Sequence, residues 1–314
     1  MDSCRSAAWL DYFICCLFAL IQCAPAHAVD SVEVGVTVDE AKSAPPAADK
    51  AKPALVKLFE TGVDALSMKD YEAAYQAFHR AADQGYSKAQ SALAGLYLRG
   101  QGVAANSAEA ITWYRKAAEQ GDAEGQTGLG LLYAQGQGVE RNDELAANWL
   151  RQAAEQGDAT AQSSLGVMYL EGRGVDSNES TAADWFRRAA LQGDFPAQDN
   201  LAAAFRDGRG VEVDEIEAAW WFRQAAEKGD PVAQTNLGLA YFQGQGVHQD
   251  DIEAVQWFRQ AAEAENALAQ YYLGVSYSEG RGLAQDEVEG RKWLESAAQQ
   301  GLPEARDYLN TRTR

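Results

Sequence analysis

Apolar and small residues recur along this chain with a period of 36 residues. One column holds Leu93, Leu129, Leu165, Leu201, Leu237 and Leu273, and the next position holds Ala94, Gly130, Gly166, Ala202, Gly238 and Gly274. Three positions further on stand Tyr97, Tyr133, Tyr169, Phe205, Tyr241 and Tyr277. Leucine, a small residue and an aromatic at i, i+1 and i+4 share one helical face, so each unit predicts a helix A. The small residue admits a close neighbour, and the aromatic fills the space beside it. A second run is built around Trp113, Trp149, Trp185, Trp221, Trp257 and Trp293, each followed by paired small residues such as Ala117-Ala118 and Ala153-Ala154. It predicts a helix B whose indole packs inward. Units of this length that repeat without change of spacing stack, each burying its apolar face on its neighbours.

Polar and glycine positions punctuate these helices. Helix A is predicted to stop at a Gly-x-Gly, as at Gly172 and Gly174 or Gly244 and Gly246, because glycine past a helix end takes the left-handed conformation at no Cβ cost. Helix B is predicted to start at Asn106, Asn142, Asn178, Asp214, Asp250 and Asp286, whose side chains can accept from open amides. Glu109, Glu217, Glu253 and Glu289 lie three residues later, the spacing of a reciprocal capping box. Gly121-Asp122, Gly157-Asp158, Gly193-Asp194 and Gly229-Asp230 then end helix B and begin the next helix A. Glu265-Asn266 breaks the rule, and a distorted or differently wound junction is expected there.

The motifs Ala-Gln-x-x-Leu-Gly-x-x-Tyr, Gly-x-Gly-Val and Ala-x-x-Trp-Phe-Arg-x-Ala-Ala run in order from Ala161-Gln162 to Ala190. They resemble the Sel1-like repeat, a subfamily of tetratricopeptide-like helical repeats. The resemblance implies an all-α fold, a right-handed α–α superhelix forming a solenoid of about seven antiparallel helix pairs. Six such repeats are read over residues 87–302. Residues 55–86, with Asp70-Tyr71, Ala74, Phe78 and Ala81-Ala82 but no tryptophan, read as a tetratricopeptide-like capping pair, and residues 303–314 as a closing helix and tail.

Charge and cysteines narrow the function. The formal net charge of −19 argues against a nucleic-acid partner, which would need a surplus of Lys and Arg. Cys4, Cys15, Cys16 and Cys23 are the four cysteines, so nothing after Cys23 can form a disulfide framework or a thiolate metal site. Arg5, the apolar run from Tyr12 to Ile21 and the small-x-small triplet Ala26-His27-Ala28 read as a signal peptide over residues 1–28. Cleavage after Ala28 places the mature chain in the periplasm or outside the cell, with no integral span. Leu20-Ile21-Gln22-Cys23 as a lipidation box is the competing reading. Residues 29–54, rich in Ala, Pro and Lys, read as a disordered linker.

No catalytic, cofactor or metal constellation is read. His79 and His248 are far apart in repeat order, and Ser-x-x-Lys, His-Glu-x-x-His and phosphate-loop motifs are missing from the sequence. By resemblance to tetratricopeptide domains, the residue two before each leucine and those after each tyrosine face a concave groove. The first column holds Thr127, Ser163, Asp199, Thr235 and Tyr271; the second holds Arg99, Gln135, Glu171, Asp207, Gln243 and Glu279. Trp220 is the aromatic in a column otherwise polar, read either as a contact residue or as a packing exchange with Phe195 or Phe205, the exchange being favoured. The expected partner-binding set is Asp199, Arg206, Asp207, Trp220, Phe242, Tyr271, Glu171 and Gln243. The function expected is an exported, non-enzymatic scaffold that holds a protein or peptide and assembles or regulates an envelope complex. A cell-wall or polysaccharide-binding module, using Tyr271 and Phe242 as stacking faces, is the alternative. A β-lactam hydrolase, suggested by Cys-rich relatives, is a third reading that the cysteine-free repeats do not favour.

Overall fold

The computed structural model describes residues 53–312; the expected signal peptide, most of the expected linker and residues 313–314 lie outside the described residues. Fifteen helices, and no strand, occur among them. They are α1 (Pro53–Ser67), α2 (Tyr71–Ala82), α3 (Ser87–Arg99), α4 (Ser107–Glu119), α5 (Ala123–Gln135), α6 (Asp143–Glu155) and α7 (Ala159–Glu171), followed by α8 (Glu179–Ala190), α9 (Phe195–Asp207), α10 (Glu215–Ala226), α11 (Pro231–Gln243), α12 (Asp251–Glu263), α13 (Ala267–Glu279), α14 (Glu287–Gln299) and α15 (Pro303–Arg312). The chain divides into two compact units, residues 1–177 and 178–314. The first holds α1–α7 and the second α8–α15, each a stack of short helices in the all-α helix-pair architecture that the period predicts. Helix α1 starts at Pro53, two residues inside the expected linker, with proline at the helical position where its missing amide costs nothing.

The caps explain why the helices stop and start where they do. The six B helices α4, α6, α8, α10, α12 and α14 are capped by the Asn and Asp residues expected, each side chain accepting from backbone amides two or three residues on. The reciprocal arm of the capping box is not made. The cap residue's own amide donates instead to the carbonyl of the preceding aromatic column, as Asn106 to Tyr97, Asp214 to Phe205 and Asp250 to Tyr241, at 2.9–3.0 Å. That bond straps the Gly-x-Gly loop across the hairpin and leaves the glutamate nothing to satisfy. The first glycine of each pair takes the left-handed cap. The second is required by contact, because a Cβ on Gly174 would strike the Asp143 carbonyl and one on Gly246 the Glu215 carbonyl. Each loop therefore rests on the first turn of the previous repeat's B helix.

Glu265 adopts φ +62°, the conformation glycine takes in the other junctions. The junction is not distorted as expected: Asn266 N donates to Ala261 O at 3.0 Å, just as Asp230 N donates to Ala225 O at 3.3 Å. The backbone path is kept and the side chain bears the strain. Glu265→Gly should raise stability by about 1 kcal/mol, read as a rise in the urea midpoint. An unchanged or lower midpoint would count against that account.

The leucine column is the centre of the core, with all six members fully buried. Opposite it lies the residue after each tryptophan. A Cβ at Gly130 would meet Leu150, one at Gly238 would meet Phe258, and one at Gly274 would meet Leu294, so the small column does admit a close helix. The tryptophans themselves lie further out than expected. Trp113 and Trp221 are buried, but Trp149, Trp185, Trp257 and Trp293 are only half-buried, while Phe186 and Phe258 are enclosed. One residue along a helix turns the side chain by about 100°, which is enough to move the indole from the seam to its flank. There it carries cations: the Arg188 guanidinium lies 4.5 Å from the Trp185 ring and Lys116 Nζ 3.9 Å from that of Trp113.

Two polar ladders tie repeat to repeat. Gln90, Gln126, Gln162, Gln198, Gln234 and Gln270 are buried, and each Nε2 donates to the carbonyl of the alanine eight residues back, at 3.0–3.3 Å. Gln120, Gln156 and Gln300 then donate to the Oε1 of Gln90, Gln126 and Gln270. Where that position holds Lys228, Gln198 Oε1 has no partner among the described residues. In the second ladder Arg115, Arg151, Arg223 and Arg259 donate to Tyr133, Tyr169, Tyr241 and Tyr277 hydroxyls. Phe205 has no hydroxyl, and Arg187 lies 5.7 Å from its ring instead.

Candidate partner-binding site

The two columns expected to face a groove separate in the structure. The one two residues before each leucine is closed. Ser91, Thr127, Ser163, Asp199 and Thr235 are all buried, and Tyr271 is half-buried. Ser91 Oγ donates to Asp122 Oδ1 at 2.6 Å, which shows the direction of the column: it points at the start of the next A helix. Thr127 and Thr235 turn back to the Ala123 and Pro231 carbonyls. Asp199, expected at the recognition face, is thus only 5 % exposed. Burial, and then the neighbouring Asp230 carboxylate, push its pKa up to about 7; the hydrogen bond from Asn236 Nδ2 at 3.2 Å and the charge of Arg206 act the other way.

The column at the ends of the A helices is open, as expected. Arg99, Gln135 and Glu171 are exposed in the first unit, and Asp207, Gln243 and Glu279 in the second. Glu171 is paired with Arg173 at 3.4 Å. Around Asp207 the structure builds a denser cluster. Arg206 makes two contacts to its carboxylate, at 2.7 and 3.1 Å, and Arg209 a third at 3.3 Å. Arg206 Nη1 also donates to Asn236 Oδ1 at 3.4 Å. Arg206, Asp207 and buried Asp199 are therefore joined through Asn236, with Asp207 exposed and Arg206 half-buried.

The aromatic candidates divide too. Trp220 is 49 % exposed, its ring edge-on to buried Trp221 at 4.5 Å. The packing exchange favoured from the sequence is not found: the indole stays outside the core, and Phe195 is itself 40 % exposed. Phe242 and Tyr271 belong to a packed aromatic spine. Phe242 meets Phe258 and Tyr272 at 5.9 Å, and the Arg281 guanidinium lies 3.3 Å from its ring centre, so that face is taken. Tyr271 packs on Tyr272 at 5.1 Å and faces Tyr308 at 6.3 Å, and burial raises its hydroxyl pKa. Neither ring presents the free face that a sugar would stack on.

His79 pairs with Asp83 at 2.9 Å, and exposed His248 contacts the Gln249 carbonyl. Among the described residues no three His, Cys, Asp or Glu side chains gather as a metal site would need. No helix among them is long and apolar enough to cross a membrane.

The Sel1 repeat family profile matches residues 57–86, 87–122, 123–158, 159–194, 196–230, 231–266 and 267–302. This chain belongs to the Sel1 repeat family. The profile includes 57–86, making seven repeats where the sequence analysis reads six and a capping pair. A protective antigen of uropathogenic Escherichia coli, c5321, described as displaying an SLR fold, is 35 % identical with a TM-score of 0.72. The match covers 81 % of this chain and 56 % of the antigen, so the chain spans little more than half of that protein. A Sel1 repeat protein from Oxalobacter formigenes is also 35 % identical, with a TM-score of 0.69 over 76 % of this chain and 96 % of its own. Among curated proteins none matches. Sel1 repeat proteins are generally scaffolds for protein–protein interaction rather than enzymes.

The glutamine ladder escapes a reading based on hydrophobic columns, although its signal is plain: one residue type at one position in all six rows.

Proposed function

We propose that this Sel1 repeat protein is an exported scaffold that binds a protein or peptide through the open ends of its A helices and so assembles or regulates an envelope complex. One observation carries the reading. The leucine and glutamine columns of the buried stack keep their residue type, whereas the exposed end column changes charge from Arg99 through Glu171 to Asp207 and Gln243. A surface built this way can be altered without disturbing the stack beneath it.

The Arg206–Asp207 pair is the part of that column we assign to partner choice, with Trp220 as an exposed aromatic nearby in sequence. Exchanging the two charges, Arg206→Asp with Asp207→Arg, keeps the ion pair and the net charge but reverses the pattern presented. In crosslinking pull-downs from an envelope fraction, the exchange should weaken capture of the principal partner about tenfold in a chain that keeps its helical content. Equal capture by both chains would reject the assignment. Amino-terminal sequencing of the protein recovered from that fraction should begin at Val29; mass spectrometry showing a chain lipidated at Cys23 or retaining Met1 would overturn cleavage after Ala28.

A further inference from the structure

The second unit carries a row of exposed aliphatic side chains that its core does not use. Ile216, Ile252 and Val288 occupy the same position, the second of the B helix, in three successive repeats, and are 72, 61 and 70 % exposed. Val213, 61 % exposed, adds a fourth beside Ile216. The equivalent positions earlier in the chain hold Ala108, Glu144 and Ser180, so the helix start itself does not ask for a branched aliphatic. β-Branched residues are also weaker helix formers than the alanine or glutamate they stand in for. Single exposed aliphatics are ordinary on protein surfaces, but a register-matched row is a patch.

The setting of the row is firm. The next repeat's loop rests on each of these first turns, with Gly246 against the Glu215 carbonyl and Gly282 against the Asp251 carbonyl. Between the first such turn and its loop lies an open depression of about 570 Å³, with Val213, Ile216 and Val247 as apolar lining and Asp214 and Glu215 beside them. Acidic residues predominate on the rim. Asp251 is neutralised by Arg281 and Glu289 by Lys292, both at 2.8 Å. Glu215, Glu217, Glu253 and Glu287 form no ion pair among the described residues. Carboxylates at helix starts are stabilised by the helix dipole, which accounts for the acids but not for the aliphatics between them.

We propose that this edge, the first turns of α10, α12 and α14, docks a basic amphipathic segment of another protein, one in which aliphatic residues alternate with Lys or Arg. The aliphatics would cover Ile216, Ile252 and Val288 while the cations meet the unpaired glutamates. The occupant follows from charge complementarity. A second copy of this chain would bring a like-charged rim onto this one, and an anionic membrane surface would be repelled by it. The edge adjoins the open A-helix ends, with Trp220 one turn along α10 from Ile216, but Ile216, Ile252, Glu217 and Glu253 are distinct from the Arg206–Asp207 pair, so the two sets of substitutions tell the proposals apart.

The test uses the purified full chain and a fluorescent peptide alternating valine and lysine. Two control peptides carry glutamate in place of lysine, or serine in place of valine. The valine–lysine peptide should bind, and both controls should bind much more weakly. Ile216→Ser with Ile252→Ser should weaken binding about tenfold without lowering the melting temperature, since both side chains are mostly in water. Glu217→Gln with Glu253→Gln should do the same and flatten the salt dependence. Hydrogen exchange should slow around residues 213–217 and 250–254 when peptide is added. Binding undiminished by the serine substitutions would reduce the effect to general charge attraction and overturn the proposal. Concentration-dependent self-association abolished by those substitutions would overturn it too, in favour of a second copy.

Discussion

Phe258→Ala should destabilise the second unit by about 3–5 kcal/mol, the largest loss expected from any single truncation in the repeats. Phe258 is fully buried, stacks on Tyr272 at 5.3 Å and 17°, and fills the space left by Gly238. Its cluster includes Ala254, Ala261, Ala262, Ala269 and Leu273, all at 0–1 % exposure, so small neighbours cannot lean in to close the cavity. Trp257→Ala removes a bigger side chain yet should cost about half as much, because the indole is only half-buried. The comparison needs urea melts of both variants followed by a signal from the second unit, since repeat arrays can lose units separately. A larger loss at Trp257 than at Phe258 would mean that the indole column is the true core seam.

That contrast shows where sequence reading succeeds and where it stops. Helix ends were legible because their chemistry is local: the side chain of Asp214 caps α10 whatever lies beyond it, and Gly244 takes its left-handed cap within one turn. The strain at Glu265 was legible for the same reason, although the undistorted junction was not. Depth was harder. Trp257 and Phe258 are adjacent in every periodic alignment, and only the position of the neighbouring A helix decides which of them is enclosed. The face of Asp199 depends on the next repeat's Asp230, some thirty residues away in the chain, and no pattern within one repeat supplies that. The open row at the A-helix ends was readable, since it follows directly from the position of the Gly-x-Gly stop. The aliphatic edge was visible as Ile216, Ile252 and Val288 in one column, but hydrophobicity alone assigns such residues to a core; their exposure needed the structure.

Asp199 also makes stability depend on pH in a way that a single substitution should remove. Its folded pKa of about 7 stands well above the ordinary aspartate value of 3.8. Between those values the folded chain holds a proton that the unfolded chain has released, so stability falls as pH rises through this window and the loss is complete above pH about 7. The groups around the carboxyl are Arg206 on its own helix, Asp230 at the cap of α11 and Asn236 on α11. Asp230 disfavours the charge; Arg206 and Asn236 favour it, but burial outweighs both. Asp199→Asn keeps the shape and cannot ionise. It should therefore melt above the parent at pH 8, by the equivalent of about 4 kcal/mol, and the difference should shrink towards pH 5. Asp199→Ser should flatten the profile in the same way, because it restores the residue type with which Ser91 donates to Asp122 in the corresponding contact. A gap between parent and variant that did not change with pH would show that Asp199 stays ionised in the fold. Asn236 would then be holding a buried carboxylate for Arg206, and the ion pair at the open A-helix end would owe its position to that buried charge.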